Sequence, residues 1–558
     1  MMKHLLLALG LALVAVPASA QNVTCATRPT GDSTNACSST AFVQAQLSTN
    51  IAPGSLDNLA KYTGTGSNLG PLVLGTTVYG ALQNAANGAG GFAVLDSGGH
   101  VFVANIPTGI PAANSTYTQS GTGGVAQTVQ ANIALQPVTP QQFGAVGDGV
   151  ADDTAAFNDA LATVASGGKV RVPCGTYKVT TLVSVSVAAG KHIEFAGDGQ
   201  DCAVINITGA INGPTFGYAN QWSSVTIHDL TFTSDQTTGT NKCLVITGSF
   251  TNANSAYAAT SSIYDVTFRG ADAYGAATQY CAIGLNDFSI SNVNIYSLTF
   301  QGIAARAGTA IELAGSGTGS TYAVAINVVG ANVNNCTTGI SYGDWVQGLS
   351  VTATNMTGCS NGITTAATPS GSLDQISMVN SQINTFTCGV CVNDANMNGV
   401  TLVNNLFITN INSTALKLEG TNFTVSSNQF GSTSTTGTTA IDLASATGNG
   451  GVINNNSLLG YGTGFLAGAS VAALVKVNSN QFVGNTADYS INASASGIEI
   501  ADTQSRNFAT LPACGLPIKF SSFTIADSPT VVYNASVTVG GGANYLLIRC
   551  DGTRYYVD

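Results

Sequence analysis

The chain has 558 residues, of which only 8% are charged, and 27 acidic against 16 basic side chains give a net charge of −11 at pH 7. Because ordinary globular chains are about 25% charged, this surface must be built mainly from Asn, Ser, Thr and Gly. The acidic balance leaves no basic stripe to neutralise phosphates, so we expect no nucleic-acid partner, and an acidic polymer would be repelled overall.

Residues 1–20 have the pattern of a secretory signal peptide. Lys3 and His4 precede the apolar run Leu5–Val16, and an Ala-x-Ala cleavage pattern ends at Ala20. The run is shorter than the roughly 20 residues that cross a bilayer. We therefore expect a secreted protein, extracellular or periplasmic, without a membrane partner; an N-terminal membrane anchor is the alternative.

Residues 21–137 are rich in Gly, Asn, Ser and Thr, which predicts short strands and linker rather than a large core. The stretch Cys25–Gln44 resembles a short element of phage tail-fibre proteins and related bacterial exported proteins. Gly121–Gln130 resembles the neck that precedes the β-helix in tailspike-like chains. These resemblances imply a bacterial or phage-related surface protein and make a homotrimer the assembly to test.

The most specific motif consists of three segments, Gln142–Phe157, Gly167–Val179 and Ile193–Gly199. In order and spacing they resemble the opening of pectate lyase superfamily domains of the rhamnogalacturonase and epimerase type. The resemblance implies an all-β fold, a single-stranded right-handed parallel β-helix over residues 138–505.

The opening motif also predicts one amphipathic helix from Thr154 to Ala165, capped by Asp152 or Asp153. This helix can cover the open first edge of the sheet stack. The two carboxylates would suit acid–base chemistry. Their position at a helix cap inside a fold signature favours a structural role instead.

Two ladders of residues recur along the rest of the chain with a spacing in the twenties. Such a period is one coil of a three-faced parallel β-helix, in which like residues stack on like. Asn suits an inward corner because its amide bonds the backbone and tolerates left-handed angles. The first ladder is Asn334, Asn355, Asn380, Asn404, Asn428, Asn456 and Asn480. The second places a small residue before an apolar one, at Ala282, Ala310, Gly339, Gly362, Gly389, Ala415, Ala440 and Gly464.

Twelve cysteines in an exported chain predict disulfides. Several pairs would join neighbouring coils, whose separation of about 4.8 Å a disulfide can span. The spacing favours Cys25–Cys37, Cys174–Cys202, Cys243–Cys281, Cys336–Cys359, Cys388–Cys391 and Cys514–Cys550. A straight strand would hold Cys388 and Cys391 too far apart to bond without a bend, and zinc is the alternative at this pair. No second pair at suitable spacing exists, so we expect no metal and no cofactor.

Residues 506–558 predict a small β module closed by one disulfide, which loosely resembles elements that follow β-helices in bacterial and phage-like proteins. Its simplest role is to cap the last coil.

The family resemblance implies enzymes that act on polysaccharides at an outward face of the helix, yet the known site patterns of polygalacturonases and pectate lyases are absent from this sequence. Counting from the second ladder gathers four acidic residues on one face. Asp394 and Glu419, on adjacent coils near the separation of retaining glycosidases, are the predicted acid–base pair. Asp344 and Asp442 are the supporting carboxylates.

Four further residues are predicted to bind substrate on the same face. Trp345 and Tyr342 would offer an aromatic platform for a sugar ring. Lys417 and Glu312 share the outward column two places after the ladder residue. The other members of this column are Ser341, Thr364, Cys391 and Asp442. The alternative is that these are solvated outward side chains, with Lys417 paired to a neighbouring carboxylate.

The sequence therefore predicts a secreted polysaccharide-active enzyme, either a glycoside hydrolase or a polysaccharide lyase, with a polysaccharide or cell-surface glycan as its partner. The alternative is a non-catalytic glycan-binding protein of the tail-fibre or adhesin type. The N-terminal elements and the missing site patterns favour that alternative. A purely structural surface protein is the third reading.

Overall fold

The computed structural model describes residues 116–118, 126–134, 136–248, 258–272, 278–316, 322–366, 373–443, 450–471, 474–528, 535–542 and 544–558. The predicted signal peptide, the tail-fibre-like element and the Cys25–Cys37 pair lie outside these residues. Within the described ranges, no helix is both long and apolar enough to cross a bilayer.

Helices are few in the part of the chain that the structure describes. They are α1 (Val129–Ala134), α2 (Thr154–Thr163) and three short 3₁₀ helices, Pro140–Phe143, Phe508–Thr510 and Leu516–Ile518. The helix predicted from Thr154 is confirmed and ends two residues early. Two strands, β1 (Thr116–Thr118) and β2 (Ala126–Thr128), form an antiparallel pair, and residues 130–558 form one compact unit.

The first strands of the compact unit are β3 (Asp148–Asp152), β4 (Gly168–Val172), β5 (Gly175–Val179), β6 (Ser184–Val187), β7 (His192–Gly197), β8 (Ala203–Ile207), β9 (Thr215–Tyr218), β10 (Ser224–Ser234), β11 (Lys242–Gly248), β12 (Ser261–Gly270), β13 (Ile283–Phe288), β14 (Val293–Tyr296), β15 (Thr299–Gln301), β16 (Thr309–Ala314), β17 (Ala323–Val329), β18 (Asn332–Asn334), β19 (Thr338–Tyr342) and β20 (Val346–Thr352).

The strands that follow are β21 (Asn355–Thr365), β22 (Leu373–Val379), β23 (Gln382–Val392), β24 (Asn398–Val403), β25 (Leu406–Thr409), β26 (Thr414–Leu418), β27 (Thr421–Ser426), β28 (Gln429–Ser432), β29 (Thr439–Leu443), β30 (Gly451–Asn454), β31 (Ser457–Leu459), β32 (Thr463–Ala467), β33 (Val475–Asn478), β34 (Gln481–Val483), β35 (Ala487–Ile491), β36 (Ile498–Arg506), β37 (Ser522–Ser528), β38 (Ser536–Val537), β39 (Asn544–Cys550) and β40 (Tyr555–Val557).

Strands β3 to β36 form three columns of parallel strands, so the chain climbs one coil each time it passes all three. Face 1 runs from β4 through β7, β10, β12, β14, β17, β20, β22, β24, β27, β30 and β33 to β36. Face 2 begins with β3, β5 and β8 and ends at β34. Face 3 begins with β6, β9 and β11 and ends at β35. The predicted parallel β-helix is confirmed, with about 12 turns.

The second predicted ladder lies on face 3 and holds from Ala310 onward. Its first member is Gly284 and not Ala282, because the register pairs Leu285 with Ile311. The apolar residue that follows each ladder position points into the core, as alternation along a strand requires. Glycine is needed on some coils: a Cβ at Gly339 would lie 2.6 Å from a carbonyl oxygen of the next coil.

The predicted asparagine ladder is spread over several columns of the structure. The buried column is Asn405, Asn428, Asn456 and Asn480, in which each backbone N–H donates to Oδ1 of the next Asn. Asn380 and Asn404 precede that column by one residue and hold left-handed φ values of 54° and 57°. Asn334 and Asn355 lie on face 2 strands. The residue that bonds the next coil and the residue with the left-handed backbone are therefore different residues of each coil. The register predicted for Asn334, Asn355, Asn380 and Asn404 was wrong.

All five predicted disulfides within the described residues are confirmed. Three join neighbouring coils, Cys174–Cys202, Cys243–Cys281 and Cys336–Cys359, with Cα atoms 4.3–5.8 Å apart. Cys514–Cys550 closes the C-terminal strands. Cys388 and Cys391 are bonded within β23 across a Cα separation of 6.1 Å, as the spacing predicted.

Other elements cover both ends of the β-helix. At the start, Phe157 of α2 packs on Tyr177 and Phe195. The carboxylate of Asp153 accepts Val146 N at 2.7 Å, and that of Asp152 accepts Thr154 N, which supports a structural role for both. At the far end, β37 pairs parallel with β36 and antiparallel with β39, and the parallel stack stops there.

Candidate functional site

The outward column predicted on face 3 is present in the predicted register. Adjacent strands pair its members, Glu312, Ser341, Thr364, Cys391, Lys417 and Asp442. Column counting therefore placed these six residues correctly, whatever their chemistry.

The charged members of this column are held in polar contacts. The Lys417 ammonium lies 2.6 Å from Glu419 Oε1 and donates to Asn393 Oδ1 at 3.0 Å. Glu312 Oε1 accepts from Lys242 and from the Asn286 amide, at 3.2 and 2.7 Å. Asp442 is paired in register with Lys417 on the next coil. The arrangement is the solvated, ion-paired alternative, and a carboxylate neutralised in this way is a poor base.

Tyr342 does not offer its ring to a ligand. It follows the outward residue Ser341, so strand alternation turns it into the core, where it is completely buried. Its hydroxyl donates to the backbone carbonyl of Asp374, and burial raises the pKa of the phenol. The prediction that Tyr342 forms an aromatic platform was wrong.

Asp394 is brought to the predicted face but lies beneath it, with only 3% of its surface exposed. Its Oδ1 accepts the backbone N–H of Asn396 at 2.9 Å. Its Oδ2 is buried and accepts no hydrogen bond from the residues that the structure describes. A buried, half-satisfied carboxylate is costly, and it acts on its surroundings chiefly through its charge.

Asp374 is the carboxyl that the sequence analysis missed. It lies on β22 of face 1, in register with Gln347 and Asn398, and is half-buried. Burial, together with the nearby charge of Asp394, raises the pKa of Asp374. The sequence offers no signal for it, because the face 1 strands β17, β20 and β22 share no repeated residue type that could be counted.

A cleft of about 300 Å³ opens on face 1 beside this carboxyl. Left-handed residues at the same position of β17, β20 and β22, with φ of 59°, 75° and 62°, bulge the strands there. The lining is mainly polar and comprises Val324, Ala325, Asn327, Gln347, Gly348, Asp374 and Gln375.

Two aromatic residues immediately precede strands whose residues line the cleft. Trp345 immediately precedes β20 and Tyr322 immediately precedes β17; their rings are 5.1 Å apart in an edge-to-face arrangement. Both are partly exposed, as is Asp344, the residue before Trp345. The predicted residues Asp344 and Trp345 thus come next to the cleft, while Tyr322 was missed.

A second polar cluster lies on the first coils of face 1. Glu194 Oε1 accepts from the Lys169 ammonium at 2.7 Å and contacts His228 Nε2 at 3.0 Å. His228 Nδ1 lies 2.7 Å from Asp229, and its ring stacks on Tyr264. Burial opposes ionisation of Glu194, but the hydrogen bonds from Lys169 and His228 lower its pKa overall. Every charge here has a partner, which fits a structural network.

No group of three His, Cys, Asp or Glu residues in the described ranges could hold a metal ion. The side chains that line the cleft offer a carboxyl with a raised pKa and several amides.

Residues 138–364 match the model of the family described as rhamnogalacturonase A/epimerase, pectate lyase-like. The match includes the three segments of the opening motif, which resembles the same superfamily. The matched segment includes Tyr322 and Trp345 and ends before Asp374.

Among characterised proteins the chain is similar to mannuronan C5-epimerase AlgE1 of Azotobacter vinelandii, with 35% identity over 104 residues. The similarity covers 16% of this chain and 7% of the epimerase, so the chain spans only a small part of that relative.

Among solved structures it is similar to the tailspike of Escherichia coli bacteriophage HK620 in complex with a pentasaccharide, with 10% identity and a TM-score of 0.45 over 80% of this chain and 95% of that one. It is also similar to the family 28 exopolygalacturonase of Yersinia enterocolitica, with 13% identity and a TM-score of 0.44 over 68% and 80% of the two chains. At these values neither likeness bears on function.

Proposed function

We propose that this chain is a secreted glycoside hydrolase that binds a polysaccharide at the face 1 cleft and uses Asp374 as its proton donor. The observation that carries the proposal is the Asp374 carboxyl, which lines the cleft and whose pKa is raised by burial and by the buried charge of Asp394. A general acid needs this property, because it must hold its proton until the leaving oxygen takes it.

The walls of the cleft suit a sugar ring. Trp345 and Tyr322, which immediately precede two of the strands that line the cleft, provide apolar ring surface, against which the C–H face of a sugar can pack. Asn327 and Gln347 provide amides, which both donate to and accept from hydroxyl groups.

The proposed reaction is hydrolysis of one glycosidic bond. Asp374 gives its proton to the bridging oxygen as the bond from that oxygen to the anomeric carbon breaks. Water attacks the anomeric carbon, and its proton passes to a second carboxylate, to which we assign Asp344 in the turn before β20. Asp394 is a positioning residue in this scheme: it is buried and acts through the charge that it places near Asp374.

We include the location and the assembly of the protein in the same proposal. Five disulfides in the described residues are compatible with an oxidising, extracellular location. The homotrimer stays a prediction, which sedimentation of the purified mature chain would measure.

The test is a comparison of wild-type protein with Asp374→Asn on a panel of plant and bacterial polysaccharides, measuring new reducing ends and unsaturated uronates separately. Asp442→Asn, an outward carboxylate of face 3, is the matched control. A general acid contributes about 10²–10⁴-fold, so Asp374→Asn should lower kcat by that factor with little change in KM. Full activity of Asp374→Asn, or product in the form of unsaturated uronates, would overturn the proposal.

A non-catalytic glycan-binding protein is the second candidate, and one observation favours it. Glu419, half of the acid–base pair predicted from the sequence, is ion-paired with Lys417, whereas the aromatic pair Tyr322 and Trp345 needs no catalysis to bind a sugar. Binding that depends on Trp345, without product from any polysaccharide, would select this function.

A further inference from the structure

We infer that the face 1 cleft takes neutral sugar units, with hydroxyl or acetamido groups, and rejects uronates and sulfated sugars. The inference rests on the proposed function, because it names the substrate class of the same cleft. It departs from the acidic polymers that the family resemblance would suggest.

The first observation is the distribution of charge along the sequence. Between Arg306 and Lys417 the chain contains no Lys, Arg or His. The same stretch supplies every residue that lines the cleft. Its only charged side chains are the carboxyl groups of Glu312, Asp344, Asp374 and Asp394. Several consecutive coils, together with the sequence of the turns that join them, therefore contain acidic residues and no basic residue.

The cations at the borders of this stretch are already engaged. The Arg306 guanidinium lies 3.4 Å above the ring of Phe386. The Lys417 ammonium is held between Glu419 and Asn393. Neither is positioned to neutralise an acidic sugar in the cleft without giving up its present partners.

The affinity that an acidic ligand loses through this repulsion can be estimated. A ligand carboxylate about 6 Å from one uncompensated protein carboxylate, at an effective dielectric constant near 20, binds on the order of 100-fold more weakly than its neutral counterpart. Asp394 supplies such a charge near the cleft, because together with burial it raises the pKa of the lining residue Asp374. The net charge of −11 adds long-range repulsion to this local term.

Neutral sugars, in contrast, match the cleft. Asn327, Gln347 and Gln375 line it with amides, and an amide can donate to and accept from the same hydroxyl-rich ligand. Trp345 lies two residues before the lining residue Gln347. Binding of this kind involves no net charge and so should be insensitive to salt.

The experiment uses Trp345 as a local reporter. The sequence contains two tryptophans, so the full chain with Trp222→Phe keeps Trp345 as its sole one; Trp222 is exposed in the turn before β10. Fluorescence is titrated with neutral oligosaccharides from galactomannan, arabinoxylan, dextran and chitin, and with oligosaccharides from polygalacturonate, alginate and hyaluronan. We expect a response to at least one neutral probe, unchanged between low and high salt, and at least 100-fold weaker responses to the uronate probes.

Two matched variants sharpen the result. Gln347→Lys places a cation in the cleft and should raise the affinity for uronate probes at least 10-fold, whereas Gln347→Met, which is neutral and similar in size, should not. A uronate response in the Trp222→Phe chain that equals or exceeds every neutral response would overturn the inference. So would the lack of a response to any neutral probe.

The two proposals fail in different ways. Neutral probes that bind at Trp345 without ever being cleaved would refute the proposed hydrolase activity but not the proposed specificity for neutral sugars. A uronate polymer that is hydrolysed with dependence on Asp374 would do the reverse.

Discussion

Replacing Asn428 by Ala tests whether the buried asparagine column holds the coils together. Asn428 is completely buried. Its Oδ1 accepts the backbone N–H and the side-chain amide of Asn405, at 2.9 and 3.0 Å. Its Nδ2 donates to the carbonyl of Leu402 and to Oδ1 of Asn456, at 2.8 and 3.0 Å. The substitution therefore removes four hydrogen bonds and leaves a buried N–H on Asn405 without its partner.

At about 1 kcal/mol for each net hydrogen bond, the Asn428→Ala variant should lose about 4 kcal/mol of unfolding free energy. The measurement is the midpoint of urea unfolding followed by circular dichroism, at equal slope for both proteins. Asn355→Ala is the matched control, since Asn355 is exposed on β21, and it should change the free energy by less than about 0.5 kcal/mol. A loss below about 1 kcal/mol for Asn428→Ala, or equal losses for the two variants, would refute the reasoning.

Three further predictions concern carboxyl groups. Asp394→Asn removes a charge that helps to raise the pKa of Asp374, so the alkaline limb of the pH–kcat profile, where the acid loses its proton, should move to lower pH; an unmoved limb would contradict the link. Asp287 is completely buried and its pKa is raised well above the ordinary value by burial, so folding favours its protonated form and stability is lost as pH rises from the unfolded pKa through the folded one. Asp287→Asn should therefore match wild-type stability near pH 4 and exceed it at pH 7 in urea unfolding, and equal stability at both pH values would count against it. Glu419→Gln should keep at least half of the wild-type kcat, because Glu419 is ion-paired with Lys417; a 100-fold loss would restore Glu419 as a catalytic residue.

The sequence revealed face 3 well because this face repeats three kinds of residue in fixed order. A small residue, an apolar residue and an outward residue recur from Ala310 to Gly464, and the small residue is demanded by the close approach of the next coil. The disulfides that join coils follow from the same register. Repetition that arises from such steric demands is visible without a structure.

Face 1 was hidden for the opposite reason. Its inward positions accept any apolar residue of suitable volume, as shown by Leu349 and Ile376 on adjacent strands, and its left-handed position is filled by Ala325, Gly348 and Gln375 in turn. No residue type repeats, so the strand that carries Asp374 could not be placed by counting.

The predictions that were wrong at single residues assumed that residues close in sequence lie on the same face of the sheet. Tyr342 is two residues from Asp344, yet it belongs to a strand and points inward, while Asp344 belongs to the following turn. Asn380 and Asn404 are next to the buried column without being part of it. In each case a shift of one residue changes the side of the sheet on which a side chain lies.

The separation between inward ladders and outward columns has a consequence for engineering. The contacts that fix each coil, such as those of Asn428, lie inside the stack, whereas Asn327, Gln347 and Gln375 project from it into the cleft. A library that randomises Asn327 and Gln347, and spares the left-handed position of Gln375, changes the lining of the proposed sugar site while leaving the inward contacts of the coils in place.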